Sequence, residues 1–268
     1  MDSRRPLHMI GSALAAAALV TTGPTGPAPA ADPLVLDGLG DSYASGFGVG
    51  ASFTTPCGRS DAAPAPAIDG RMRLALDDFV ACGGARTVDL VAQGQIAALG
   101  PDTDVVTLSI GGNDIGWSQV VGACLGGTDD QCAGAVGVAR ARIAGQLPGL
   151  LEPVYDQVDA AAPGARVYVA GYPRLFSPDH GAVLGASPAE QEALNSGADL
   201  LNATMRTAAE AHGYTFVDVT DRFLDHGVNA PEPWLIWPTA PGSFHPTAAG
   251  YRAYAAAHTA AIDPSDLR

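Results

Sequence analysis

Short runs rich in Val, Leu and Ile, alternating with stretches that carry helical signals, constrain the fold of this chain more than any other feature. The runs lie at 34–39, 79–81, 105–110, 166–170 and 216–219. Short segments of near-continuous apolar character suit strands covered on both faces, as in a parallel sheet. Helices are expected at 87–99, within 135–161, at 188–212 and at 247–261. The third is well marked: Ser187 can cap, Pro188 fits the first turn and Glu190 stands three residues after the cap. The fourth follows His245-Pro246, where proline excludes helical geometry from the residue before it and Thr247 can cap. The pattern predicts an α/β fold, a three-layer α/β/α sandwich around a central, mostly parallel five-stranded sheet with right-handed crossovers. Residues 62–67, rich in Pro and Ala, and residues 225–242 are expected to be long surface loops.

The N-terminus reads as an export signal, residues 1–30. Arg4 and Arg5 form a positive region, and residues 9–20 form an apolar run too short to span a bilayer comfortably. Ala28-Pro29-Ala30 fits a small-x-small cleavage pattern, so a single mature domain, residues 31–268, is expected to be secreted after cleavage near Ala30. Ser3-Arg4-Arg5 hints at twin-arginine export, although Pro6-Leu7-His8 fits that pattern poorly, and the route stays open. No membrane segment is expected in the mature chain. A net charge of −14, with every one of the 14 basic residues an arginine, argues against nucleic acid as a partner, because phosphate backbones need clustered cations. The expected partner is a small-molecule or lipid ester substrate, and the expected state is a monomer.

Four cysteines in an exported chain point to disulfides. Three pairings are possible; Cys57–Cys82 and Cys124–Cys132 join near neighbours in sequence and bracket loops beside the chemistry-bearing segments. A zinc site would need histidines at ligand spacing, which neither pair has. No metal and no cofactor are expected.

That chemistry is carried by three segments. Gly40-Asp41-Ser42-Tyr43-Ala44-Ser45-Gly46 follows the first strand-like run, Gly111-Gly112-Asn113-Asp114 follows the third, and Ser243-Phe244-His245-Pro246 precedes the last helix. A serine hydroxyl becomes an effective nucleophile when a base removes its proton, and imidazole can both take and return one. Ser42 and His245 are the candidate pair. No Gly-x-Ser-x-Gly elbow is present. Gly40-Asp41-Ser42, Gly84, Gly111-Gly112-Asn113-Asp114 and His245 resemble, in order, the four blocks of the GDSL/SGNH hydrolases, whose sheet is flavodoxin-like. Cys82-Gly83-Gly84-Ala85, Gly171-Tyr172-Pro173-Arg174 and His245 through Tyr251 resemble the secreted actinobacterial lipase and phospholipase branch. The resemblance spans nearly all of the mature chain.

It implies a secreted serine esterase with Ser42 as nucleophile and His245 as base. It also implies an oxyanion hole formed by the Ser42 and Gly84 backbone N–H groups and the Asn113 side-chain amide, with Gly83 as the alternative backbone donor. Asp41 and Asp114 are expected to fix loops rather than to react. Most members of the family place an acid three positions before the histidine; here that position is Gly242. A backbone carbonyl, Ser243 or alternatively Gly242, is therefore expected to orient the imidazole, with Asp218, Asp221 and Asp225 as distant substitutes. The chain also lacks a third cysteine pair found in relatives. Trp117, Trp234 and Trp237 are candidate apolar walls of the cleft, or core plugs. The implied substrates are lipid-like carboxylic esters, of lipase or phospholipase A type. A carbohydrate O-acetyl esterase using the same residues and a non-catalytic secreted binding module are the alternatives.

Overall fold

The segment LVLDGLG forms β1 (Leu34–Gly40), buried from Leu36 onward, and β1 is the strand on which the other elements are arranged. The computed structural model describes residues 1, 31–263, 265 and 267. Residues 2–30, which hold the expected export signal and the cleavage position near Ala30, lie outside the described residues. After β1 come α1 (Ser42–Ser45), α2 (Pro64–Ile68), β2 (Leu74–Phe79), α3 (Thr87–Ala92) and β3 (Val105–Ser109). Three helices follow, α4 (Trp117–Gly126), α5 (Asp129–Gly145) and α6 (Leu147–Ala161), then β4 (Arg166–Ala170), α7 (Pro188–Ala211), β5 (Thr215–Val217) and α8 (Ala248–Ala261).

The five strands form one sheet in the order β2-β1-β3-β4-β5, and every neighbouring pair is parallel. Helices α2 and α8 pack together on the sheet, while α3 to α7 form a second connected layer. The chain leaves β1 toward β2 on one side and returns to β3 on the other. Between β1 and β3 the order therefore reverses, and ligands of open α/β sheets gather at the carboxyl ends of strands at such a reversal. Gly40 ends β1 opposite Ser109 with φ +125°, and a Cβ there would lie 2.3 Å from the Ser109 carbonyl oxygen. Only glycine permits this closeness, which brings the loops after β1 and β3 together.

The second strand is displaced from its expected place at 79–81 and occupies Leu74–Phe79 instead. It is an edge strand, most of it only partly buried, and Asp77 and Asp78 break the apolar signal. The expected helix at 87–99 stops at Ala92 and resumes as a 3-10 turn, Ile96–Ala98, with Gly94 at φ +76° between them. The region 135–161 holds two helices, α5 beginning earlier at a Thr128 capping box and α6 following Gln146. Residues 62–67 are not simply a surface loop: Pro64 opens α2, which buries Ala65 and Ile68. The α7 cap matches the expected box, with Ser187 accepting from the Glu190 N–H. Both disulfides, Cys57–Cys82 and Cys124–Cys132, are formed.

Candidate active site

Ser42 is the first residue of α1, directly beyond the end of β1, and its short helix is capped by Asp41, whose side chain accepts from the Tyr43 N–H at 2.9 Å. His245 lies just ahead of α8 in the turn that begins at Gly242. Across 203 residues of sequence, Ser42 Oγ and His245 Nε2 stand 2.7 Å apart. On the other side of the ring, Nδ1 is 3.0 Å from the Ser243 carbonyl and 3.2 Å from that of Gly242. Carbonyl oxygens only accept, so Nδ1 carries the proton, and Nε2 is left as an acceptor for the serine hydroxyl.

Phe47 and Tyr43 pack on the imidazole, with Trp117 further out, at ring separations of 4.9, 5.3 and 6.2 Å. Burial holds the His245 pKa below its usual value of 6.5, against the two carbonyl contacts, which favour the charged ring. No carboxylate contacts Nδ1 among the described residues. Asp218 instead pairs with Arg206 and accepts from the Thr220 N–H.

The oxyanion candidates occupy the two adjoining loops. Gly84 has φ +80°, a conformation natural to glycine. The Gly83 N–H is used on the Cys57 carbonyl at 2.7 Å, whereas those of Ser42 and Gly84 have no protein acceptor among the described residues. The Asn113 amide donates one hydrogen to the Ala85 carbonyl at 2.9 Å, which fixes the side chain and leaves the second hydrogen available. Asp114 is held by the Thr87 N–H and hydroxyl, joining the loop after β3 to the start of α3.

Three residues to which the sequence assigns no role hold this arrangement. Gln95 is buried and bonds both the N–H and the carbonyl of Gly40. The Tyr172 hydroxyl accepts from the Gly112 N–H and donates to Asp41, tying the loops after β1, β3 and β4. Burial pushes the Asp41 carboxyl up to about 7, opposed by the hydrogen bonds from Tyr172, Tyr43 and Ala44. Tyr251, on α8, donates to the Phe47 carbonyl at 2.8 Å. A conspicuous tyrosine beside a glycine, as in Gly171-Tyr172, was the available signal for one of them.

An apolar cavity begins at Ser42 and runs between α4, α5 and α7. Ile115, Val120, Ala139, Ile143, Leu194 and Leu201 are among its walls. Trp117 lines it, but Trp234 and Trp237 do not. Trp234 stacks on His226 at 3.8 Å and packs on Phe223, and Trp237 is exposed. The loop that carries them is closed on the histidine turn by the Ile236 N–H to His245 carbonyl bond and the Leu235–Pro246 bridge.

The profile of the GDSL-like lipase/acylhydrolase family matches residues 39–253. This chain belongs to that family. As a GDSL-like acylhydrolase it is a carboxylic ester hydrolase. Lipase 1 of Streptomyces coelicolor is 38% identical over 245 residues, covering 88% of this chain and 90% of its own. The extracellular lipase of Streptomyces rimosus superposes with a TM-score of 0.80 at 36% identity, over 85% of this chain and all of that one. Phospholipase A1 of Streptomyces albidoflavus NA297 gives the same score and identity over 87% of this chain and all of that one. The parallel sheet and flanking helices are thus the α/β fold of these GDSL-like enzymes. No helix among the described residues is long and apolar enough to cross a membrane.

Proposed function

We propose that this protein hydrolyses carboxylic esters of lipid-like substrates through a Ser42–His245 dyad. His245 Nε2 takes the Ser42 proton as Oγ attacks the ester carbonyl, then returns it to the departing alcohol; water repeats the sequence on the acyl-enzyme. The Ser42 and Gly84 N–H groups and the Asn113 amide stabilise the negative charge that develops on the carbonyl oxygen. The Ser243 carbonyl, assisted by that of Gly242, replaces the missing acid in holding the Nδ1 tautomer. Carbonyl dipoles orient the ring but stabilise the imidazolium less than a carboxylate would. Residues 1–30 serve as an export signal, and the remainder acts outside the cell.

The observation that carries the lipid reading is the apolar cavity that opens at Ser42, because a polar deacetylase site has no use for such walls. Lipase and phospholipase relatives with similar sequence and fold support it. The test is Gly197→Phe. Gly197 lines the cavity from α7, and a Cβ at that position meets nothing within 4 Å, so the new side chain starts in open space beside the cavity. Hydrolysis of palmitoyl esters is expected to fall at least tenfold while acetyl esters are turned over as before. Equal effects on both would detach the cavity from the acyl chain.

A further inference from the structure

A second groove adjoins the apolar cavity and shares Ile115, Val120 and Ala139 with it. Its character is different: Asn113, Arg86, Arg142, Gln119 and Gln146 line it. Two arginines in one groove are notable in a chain with twice as many acids as bases. Arg142 is fixed at the end of α5 by a bond from Nη1 to the Ile115 carbonyl, 3.4 Å, which leaves its remaining N–H groups uncommitted among the described residues. Arg86 bonds Asp89 through Nε and its charge also acts on Asp114, while its terminal nitrogens make no hydrogen bond among the described residues. The acids facing the groove are Asp114, occupied by Thr87, and beyond it Asp89. Arg140, two residues earlier on α5, lines the apolar cavity instead and donates to the Ser196 hydroxyl.

We infer that this groove binds the phosphodiester of a glycerophospholipid and that Arg86 and Arg142 determine headgroup preference. The inference rests on the lipid-ester reading above. An ester carbonyl held between Ser42 and Asn113 sends its two substituents apart. The acyl chain enters the apolar cavity at Ser42, and the alcohol portion leaves past Asn113 into the arginine groove. Guanidinium groups bind phosphate through short, charge-assisted hydrogen bonds, whereas a neutral glyceride offers that groove no anion.

The test compares kcat/KM for dipalmitoylphosphatidylglycerol and dipalmitoylglycerol in the same neutral detergent micelles. The ratio is expected to favour the phospholipid and to fall about tenfold in Arg142→Gln and severalfold in Arg86→Gln. Arg142→Lys, which keeps the charge, should retain most of the preference. Arg86 is exposed, so its variant remains informative if Arg142→Gln unfolds. Free glycerol 3-phosphate should inhibit p-nitrophenyl butyrate hydrolysis, and the inhibition should weaken in both glutamine variants; glycerol should not inhibit. Inhibition by the free ester without any phospholipid preference would show a site for soluble phosphate and overturn the headgroup assignment. A ratio unchanged in all variants, with both lipids hydrolysed, would overturn the groove's role alone. Turnover of p-nitrophenyl acetate but neither lipid would overturn the lipid-ester reading, and this inference with it.

Discussion

The Tyr43 hydroxyl donates to the Phe244 carbonyl at 2.6 Å, joining the turn that carries Ser42 to the turn that carries His245. Phe244 lies between Ser243 and His245 with φ +64°, an uncommon conformation for a side chain of that size. The bond holds this residue where it aims one carbonyl at Tyr43 and lets its neighbour's carbonyl face Nδ1. With no acid behind the histidine among the described residues, the geometry of the dyad depends on such backbone placement.

Tyr43→Phe should therefore loosen the dyad while keeping the fold. The buried Phe244 carbonyl would lose its partner at a cost of about 1–3 kcal/mol. A fall in kcat of roughly tenfold is expected, equivalent to about 1.4 kcal/mol, with KM little changed. Steady-state kinetics and thermal unfolding on the same variant check both; an unaltered kcat would show that the strap does not position His245.

Ser42→Ala and His245→Ala should each nearly abolish turnover with the far-ultraviolet circular dichroism unchanged. Asn113→Ala should lower kcat by roughly 10²–10³, with a smaller effect on KM, because the charge it stabilises exists only near the transition state. Full activity in that variant would remove Asn113 from the oxyanion hole.

The pH dependence should report the buried imidazole. A general base works when neutral, and burial holds the His245 pKa below 6.5, so activity should persist into mildly acidic solution. The acidic limb of kcat/KM is expected to have its midpoint below about 6.5, the ordinary histidine value. A midpoint above 7 would mean that a negative group stabilises the imidazolium, and a search for the hidden carboxylate would follow.

The Cys57–Cys82 bridge closes a separation of 25 residues and Cys124–Cys132 one of 8. Loop-closure entropy predicts stabilisation of about 3.5 and about 2.5 kcal/mol respectively. The first should also affect catalysis, since the Cys57 carbonyl holds the Gly83 N–H beside Gly84. The Cys57→Ser/Cys82→Ser protein should lose both stability and kcat. The corresponding change at Cys124 and Cys132 should act on α4 and α5, and so on long-chain esters. Denaturant titrations with acyl-length series separate these outcomes.

What was readable in the sequence follows from how local each feature is. Ser42, Asn113 and His245 sit in short glycine- or proline-marked turns, and those turns lie close to the strand or helix that positions them. The departure at Gly242 was equally local, and two carbonyls do face Nδ1. The edge strand β2 was misplaced because Asp77 and Asp78 interrupt its apolar character. Helix α4 was missed because Gly122 and Gly126 weaken its local preference, which packing and the Cys124–Cys132 bridge offset. The cavity was the least legible. Its walls come from α4 and α5 and from the distant α7, whereas Trp234 and Trp237 belong to an apolar cluster whose nearness to His245 in sequence does not carry it into the cavity. Likewise, nothing local marks Gln95 or Tyr43 as supports for the site.

The most direct test is the initial rate of hydrolysis of p-nitrophenyl esters from acetate to palmitate, with Ser42→Ala as the reference. Hydrolysis that persists to long chains and is lost in the variant is the predicted result. Equal rates in the two proteins would contradict Ser42 as the nucleophile, and activity confined to acetate would contradict the lipid-like substrate.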